Sequence, residues 1–363
     1  MRWSLVRRRK ILLRAIVCLV GMTAWNPTEM VGQETATKGI RSTLRVVKSE
    51  FVFEKAPHAQ CHASTIVETK DGLACAWFGG VKEGDDSVGI WFSSHRSGVW
   101  SPPVELANGV QKKSRLDRKR FPCWNPVLFQ MPSGPLLLFY KVGPNPREWW
   151  GMLIKSDDSG RTWSTPERLP DPIAGPIKNK PVLLSTGTLL CGSSTEHDGW
   201  KVHMEMVTDI SDSKTWSITD NVANGVASGA IQPAILTHPD GRLQILCRNK
   251  SKDFILSSFS KDGKSWSTFE KINLPNPNSG IDAATLNDGR QLVVYNHTKR
   301  GRSPINVAIS SDGKDWKSVL ELENEPRQEF SYPAVIQTAD GKIHVTYTWK
   351  RVKVKHVVID TEK

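Results

Sequence analysis

The sequence predicts an all-β fold, a six-bladed β-propeller, and three observations predict it. A serine/aspartate/glycine turn closing on tryptophan recurs along the chain, complete at Ser156-Asp157-Asp158-Ser159-Gly160-Arg161-Thr162-Trp163. One-residue-shorter copies end at Trp266 and Trp316, and worn ones at Trp100 and Trp216, which sets a period of 50 to 63 residues. Self-similarity at that spacing marks a propeller or a solenoid. Short strands opening on a polar residue recur six times, and beyond residue 40 no stretch of useful length carries helical periodicity.

Each repeat reads as one four-stranded blade. First strands open at His62, Asn125, Lys180, Gln232, Asp282 and Tyr332. A tight turn follows, Asp-Gly at Asp71-Gly72, Asp240-Gly241, Asp288-Gly289 and Asp340-Gly341, and Ser133-Gly134 in the second blade. Glycine accepts positive φ there without a Cβ clash, so the dipeptide between apolar runs is a strong hairpin signal. An apolar second strand comes next, as in Leu136 to Tyr140, Leu243 to Cys247 and Gln291 to Tyr295. The third strand runs into the aspartate turn, whose carboxylate bonds backbone two residues on, and the tryptophan is expected between neighbouring blades. The sixth repeat, Tyr332 to Asp360, lacks a last strand, and the alternation of Leu44 to Phe53 supplies it. Closing the ring in this way leaves no open sheet edge. The expected domain is 44–363.

The N-terminus has a different character. Six basic residues precede position 15 and an apolar run spans Ala15 to Ala24, too short for a membrane span but suited to a secretory leader over 1–30, with a short linker at 31–43. The expectation is an exported protein, periplasmic or extracellular. Removing the leader's six cations and Glu29 takes the net charge from +12 to +7. The remaining basic cluster, Lys112 to Arg120, reads as a solvated loop, so no nucleic-acid partner is expected. Five cysteines lie beyond the leader. Cys75, Cys191 and Cys247 sit in second strands and read as small core residues, while Cys61 and Cys123 flank adjacent blade openings and could pair. No C-x-x-C spacing occurs, and neither a metal nor a cofactor is expected.

In a propeller the innermost strands start at one funnel around the axis. Its expected lining is His62, Asn125, Lys180, Gln232, Asp282 and Tyr332 from the first strands, with Lys141, Arg248 and Asn296 from the returning ends of the second. Lys141, Lys180, Arg248 and nearby Arg302 would form a cationic mouth suited to a carboxylate or sulfate, since arginine's planar fork binds a carboxylate at two points. Each also has a plainer reading: arginines as surface ion pairs, His62 as an interior hydrogen-bonded ring, Tyr332 as a packing aromatic, Glu196 and His197 as loop residues. The pair Trp149-Trp150 is either a platform for a sugar ring or a hydrophobic wedge.

With these repeats the chain resembles the sialidase superfamily of Asp-box proteins over roughly residues 45 to 360. The resemblance implies three arginines on a substrate carboxylate, a tyrosine nucleophile activated by a glutamate, and an aspartate acid/base. Tyrosine serves there because the reacting carbon already bears a negative group. By position Tyr332 matches the nucleophile, Arg248 and Arg302 the second and third arginines, and Asp85 or Asp86 the acid/base. The first-blade arginine is replaced by Cys61-His62-Ala63, and Gln232 stands where the activating glutamate is expected, with Glu329 or Glu196 as substitutes. Three functional readings follow: a glycoside hydrolase acting on a sialic or uronic sugar of an acidic glycan, a lyase using His62 and Tyr332, or a non-catalytic glycan-binding propeller.

Overall fold

A computed structural model describes residues 44–112, 118–222 and 229–361. The leader and linker expected at 1–43, and the middle of the basic loop, lie outside these residues. Among the described residues the strands form six sheets of four or five strands plus one two-stranded hairpin, Val110–Lys112 with Arg118–Arg120. That hairpin occupies both ends of the segment read as a solvated loop.

The six larger sheets are the six blades. Blade 2 shows the pattern: Cys123–Gln130, Leu136–Val142, Trp150–Ser156 and Glu167–Arg168 pair in order, each antiparallel to the last. Blades 1, 3, 4 and 5 start at Gln60–Thr69, Val182–Leu183, Ala230–Thr237 and Asp282–Thr285. Blade 6 takes three strands from the C-terminal end, Phe330–Gln337, Ile343–Trp349 and Lys353–Thr361, and its fourth from the other end. Leu44–Phe51 runs antiparallel to Lys353–Thr361, with a bulge between Val46 and Lys48. The ring is closed as the sequence predicted.

The aspartate turns are hydrogen-bonded knots. Ser156 Oγ donates to Asp158 at 2.8 Å and accepts from the Gly160 amide at 2.8 Å, while Asp158 Oδ1 accepts from the Arg161 and Thr162 amides. The same bonds recur at Ser260/Asp262/Gly263 and Ser310/Asp312/Gly313. Each knot faces the preceding blade. Trp163 meets Phe92 of blade 1 edge-on at 5.5 Å, and the Gly313 carbonyl accepts from Gln244 of blade 4 at 2.7 Å and from the Trp316 indole at 3.0 Å. Trp316 is buried in the core shared by blades 4 and 5. Trp316→Ala is therefore expected to cost about 3–5 kcal/mol, read as a lower thermal midpoint; an unchanged midpoint would show that the turn tryptophan does not carry blade packing.

All five described cysteines are free and buried, so Cys61 and Cys123 do not pair. No helix among the described residues is long and apolar enough to cross a membrane.

Candidate active site at the axis of the ring

The innermost strands do not enter the ring regularly. Ala63, Asn125, Gln232 and Tyr332 have positive φ of 54°, 35°, 57° and 51°. In blades 1, 4 and 6 the ladder slips at the same place, between His62 and Thr65, Ile231 and Ala234, and Ser331 and Ala334. Left-handed backbone costs a non-glycine residue on the order of 1–3 kcal/mol and is retained where surrounding structure imposes it, commonly at functional sites. Bulges also re-aim side chains. Asn125, Gln232 and Tyr332 all face one cavity of about 190 Å³, as does His62 beside Ala63.

Tyr332 is the centre of that cavity. Its hydroxyl oxygen accepts from Arg248 Nη1 at 2.5 Å and from Gln232 Nε2 at 3.3 Å. Two donors on one phenol oxygen, one of them a guanidinium, make a place where negative charge is stabilised. Arg248 is fixed by Asn278 Oδ1 at 2.6 Å and lies 5.4 Å from the Trp200 ring. The Arg302 guanidinium sits 5.4 Å from the Tyr332 ring and donates to Glu329 at 2.7 Å. The His62 ring lies 4.1 Å from that of Tyr332, and its Nδ1 is 2.9 Å from the Thr348 hydroxyl. Burial, reinforced by Arg351, Arg302, Arg248 and Lys178, holds His62 well below the usual histidine range, so it is neutral.

A third guanidinium was not anticipated. Arg351 donates to Glu329 at 2.8 Å and to Glu83 at 2.6 Å, and lines the same cavity. It comes from the tight turn of blade 6, where Lys350 and Arg351 take φ of 52° and 64°. Such a turn ordinarily carries Asn-Gly, so two bulky cations in left-handed positions were the available signal. The Arg351 carbonyl accepts from the Cys61 amide at 2.8 Å, putting this turn against the first-blade position that lacks an arginine.

The first-blade loop reaches the cavity through Glu83 rather than through Asp85 or Asp86. Asp85 is spent on its own turn, accepting from the Ser87 amide at 2.8 Å, and Asp86 is exposed. Glu329 lies behind the cavity, shared by Arg302 and Arg351. Burial acts to raise its carboxyl, but those two guanidiniums outweigh it and keep it low, which suits a fixed counter-charge. Glu196 faces the cavity from blade 3, and burial pushes its carboxyl up despite Arg248 and Arg147.

The expected cationic mouth is corrected in composition. Lys141 is fully buried and donates to the Pro176 carbonyl. Lys180 pairs with Asp282 at 2.9 Å and with the Ala283 carbonyl at 2.7 Å. Asp282 also accepts from the Val335 amide, and Asn296 donates to the Pro304 and Phe330 carbonyls. Lys180, Asp282 and Asn296 tie blades 3, 5 and 6 to one another, and Lys141 ties blade 2 to the segment before blade 3, as polar atoms taken out of water find protein partners. Lys178 does the same on the axis, donating to Asn179, Ile281 O and Pro333 O; burial pushes its amine down to about 7.

A BNR repeat-like domain is matched over residues 71–345, most of the chain. Solved structures share the architecture at low identity. A protein of unknown function from Dyadobacter fermentans DSM 18053 is 16% identical with a TM-score of 0.72, over 88% of this chain and 99% of its own. The Hadza microbial sialidase Hz136 is 17% identical at TM-score 0.67, over 85% and 68%. The NanB sialidase of Streptococcus pneumoniae is 11% identical at TM-score 0.67, over 86% and 70%. No curated protein matches. The chain belongs to the BNR repeat-like family, and its six blades form a sialidase-like propeller.

Proposed function

We propose that the axial cavity binds the carboxylate of an acidic sugar, sialic or uronic, at the end of a glycan and cleaves its glycosidic bond. The observation that carries this reading is the set of three guanidiniums, Arg248, Arg302 and Arg351, gathered around one tyrosine. Each has five N–H donors in a planar fork, and the protein bonds described above engage only part of them. Tyr332 Oη attacks the anomeric carbon, where a neutral or weakly charged oxygen is repelled less by the sugar carboxylate than an aspartate would be. Glu196, with its raised carboxyl, donates its proton to the leaving oxygen as the glycosidic bond breaks. Gln232 orients Tyr332 and takes no proton, so the phenol proton passes to solvent. A water that gives its proton to the Glu196 carboxylate then displaces Tyr332 Oη, which regains a proton from solvent. The basic-then-apolar segment 1–30 supports export, which would expose the cavity to surface glycans.

The test is turnover of sialyl and uronosyl aryl glycosides, with neutral glycosides as controls. Release of the acidic sugar alone is expected. Release from neutral glycosides, or from none, removes the reading.

One observation favours a second reaction on the same substrate class. Among the described residues Tyr332 Oη bonds a guanidinium and an amide and no carboxylate, which suits a tyrosine base that takes the proton α to a uronate carboxylate as the bond to the β oxygen breaks. His62 is the weaker base of the two candidates for that step, because burial and four cations oppose its protonation. Elimination leaves an unsaturated product that absorbs in the ultraviolet, and hydrolysis does not.

A further inference from the structure

Two of the strained residues at the cavity are held by one buried amine. Gln232 and Tyr332 both sit in ladder slips with positive φ, 57° and 51°. The carbonyls of Gln232 and Pro333 lie inside those slips, where neither residue has a partner across the ladder. Lys178 Nζ donates to the Pro333 carbonyl at 2.5 Å, to the Ile281 carbonyl at 2.9 Å and to Asn179 Oδ1 at 2.8 Å. Asn179 Nδ2 passes the hold on, donating to the Gln232 carbonyl at 3.0 Å. Both side chains are buried, so a bond lost here is not readily replaced by water.

The count of protons matters. An ammonium has three N–H donors and no lone pair, and three acceptors meet Lys178. A neutral amine keeps two N–H donors and must leave one of those acceptors bare. A buried acceptor left alone costs on the order of 1–3 kcal/mol, as much as the strain of one left-handed residue, so the loss is large enough to let a slip relax. The surroundings bring that loss within reach. Burial pushes the amine down to about 7; Asp282 works against this, and Lys180 and Arg248 add to it. The other groups that face it are the Tyr332 ring at 5.8 Å and His62, which is neutral.

We infer that Lys178 is a positioning residue: its ammonium clamps the two bulges that aim Gln232 and Tyr332 at the cavity, and loss of its proton releases them. The part it plays in turnover rests on the glycosidase reading; the clamp itself does not. The clamp is complete below pH ~7 and is lost as pH rises through that value. Arg248 and Arg302 are anchored separately, by Asn278 and Glu329, so release weakens the chemistry more than the hold on a carboxylate.

The test is amide hydrogen exchange of the full chain from pH ~6 to ~9, corrected for the intrinsic rise with pH. Protection in Ala230–Thr237 and Phe330–Gln337 is expected to fall above pH ~7, by up to about tenfold per pH unit, the slope of one proton. Gln60–Thr69 is the internal control: the Thr348 hydroxyl holds its slip, accepting from the Ala63 amide at 3.2 Å, and its protection should stay level. In Lys178→Met the first two segments should already exchange at pH ~6 as they do in wild type at high pH. The matching rate is kcat on the glycosyl fluoride of the acidic sugar, whose leaving group needs no proton from Glu196. It should fall above pH ~7 with KM nearly constant, and Lys178→Met should lose about 10²-fold at pH ~6, the scale of a small misplacement of reacting groups. Should that variant fold poorly, the wild-type exchange and rate profiles decide alone. Protection that stays level with pH, or that falls equally in Gln60–Thr69, overturns the clamp, and a kcat flat to pH ~9 overturns the positioning role. If wild type cleaves no acidic glycoside or fluoride, the reaction reading fails by itself, and exchange still decides the clamp.

Discussion

Tyr332→Phe is expected to lower turnover of an acidic glycoside by ~10³-fold or more while leaving the fold intact. The ring would keep its contacts: His62 at 4.1 Å, Lys178 at 5.8 Å, Arg302 at 5.4 Å, and Gly280, which packs against its face. Only the oxygen disappears, and with it the acceptor that Arg248 and Gln232 share. Arg248 remains anchored by Asn278, so this guanidinium, proposed to meet the carboxylate, stays in position. The variant therefore separates chemistry from binding. Lost turnover with an unchanged thermal midpoint and retained glycan affinity identifies the hydroxyl as the reacting group, and product absorbance of the wild type tells attack from elimination. Full activity in Tyr332→Phe would end both mechanisms. Binding equal to wild type, with no turnover in either protein, would mark a glycan-binding propeller.

The ring was legible in the chain because its signals are local. Each Asp-Gly hairpin and each aspartate knot is specified within a few residues, and the closing strand announced itself by alternation. Register along the axis was legible only in part. His62, Asn125, Gln232, Arg248, Arg302, Glu196 and Tyr332 reach one cavity, whereas Lys141, Lys180, Asp282 and Asn296, equivalent in register, bond to other segments of the ring. Strand position fixes where a side chain starts. Its direction depends on which carbonyls and carboxylates of other segments come within reach, and that is a property of the assembled ring. Arg351 and Glu83 were missed for a related reason: both sit in turns and meet across 268 residues of sequence, a pairing no local pattern encodes.

Acid is expected to open the molecule at its closing seam. Glu50 of the closing strand accepts from His356 Nδ1 at 3.0 Å and from the Trp100 indole at 3.2 Å, and His356 Nε2 lies 3.0 Å from His344 Nδ1. Burial pushes His356 and His344 each down to about 4, the first despite its bond to Glu50. Burial does the same to His58, whose Nε2 accepts the Trp77 indole at 2.8 Å, a bond that a protonated ring cannot accept. In the unfolded chain these rings titrate near 6.5. Their folded values are lower, so the folded state binds fewer protons, and stability that is complete above pH ~6.5 is lost as pH falls toward ~4. For His356 alone the difference amounts to about 3 kcal/mol. The aspartate knots respond at lower pH, because backbone amides, joined at Asp158 by the Thr162 hydroxyl, hold Asp158, Asp262 and Asp312 below the usual carboxylate range. Urea unfolding from pH 7.5 to 4 should therefore show a steep loss centred near 5. Hydrogen exchange should rise first in Leu44–Phe51, and His356→Gln should reduce the slope by about 1.4 kcal/mol per pH unit, the value for one proton. A stability flat across that range, or exchange that begins in another blade, would place the acid-sensitive step away from the seam.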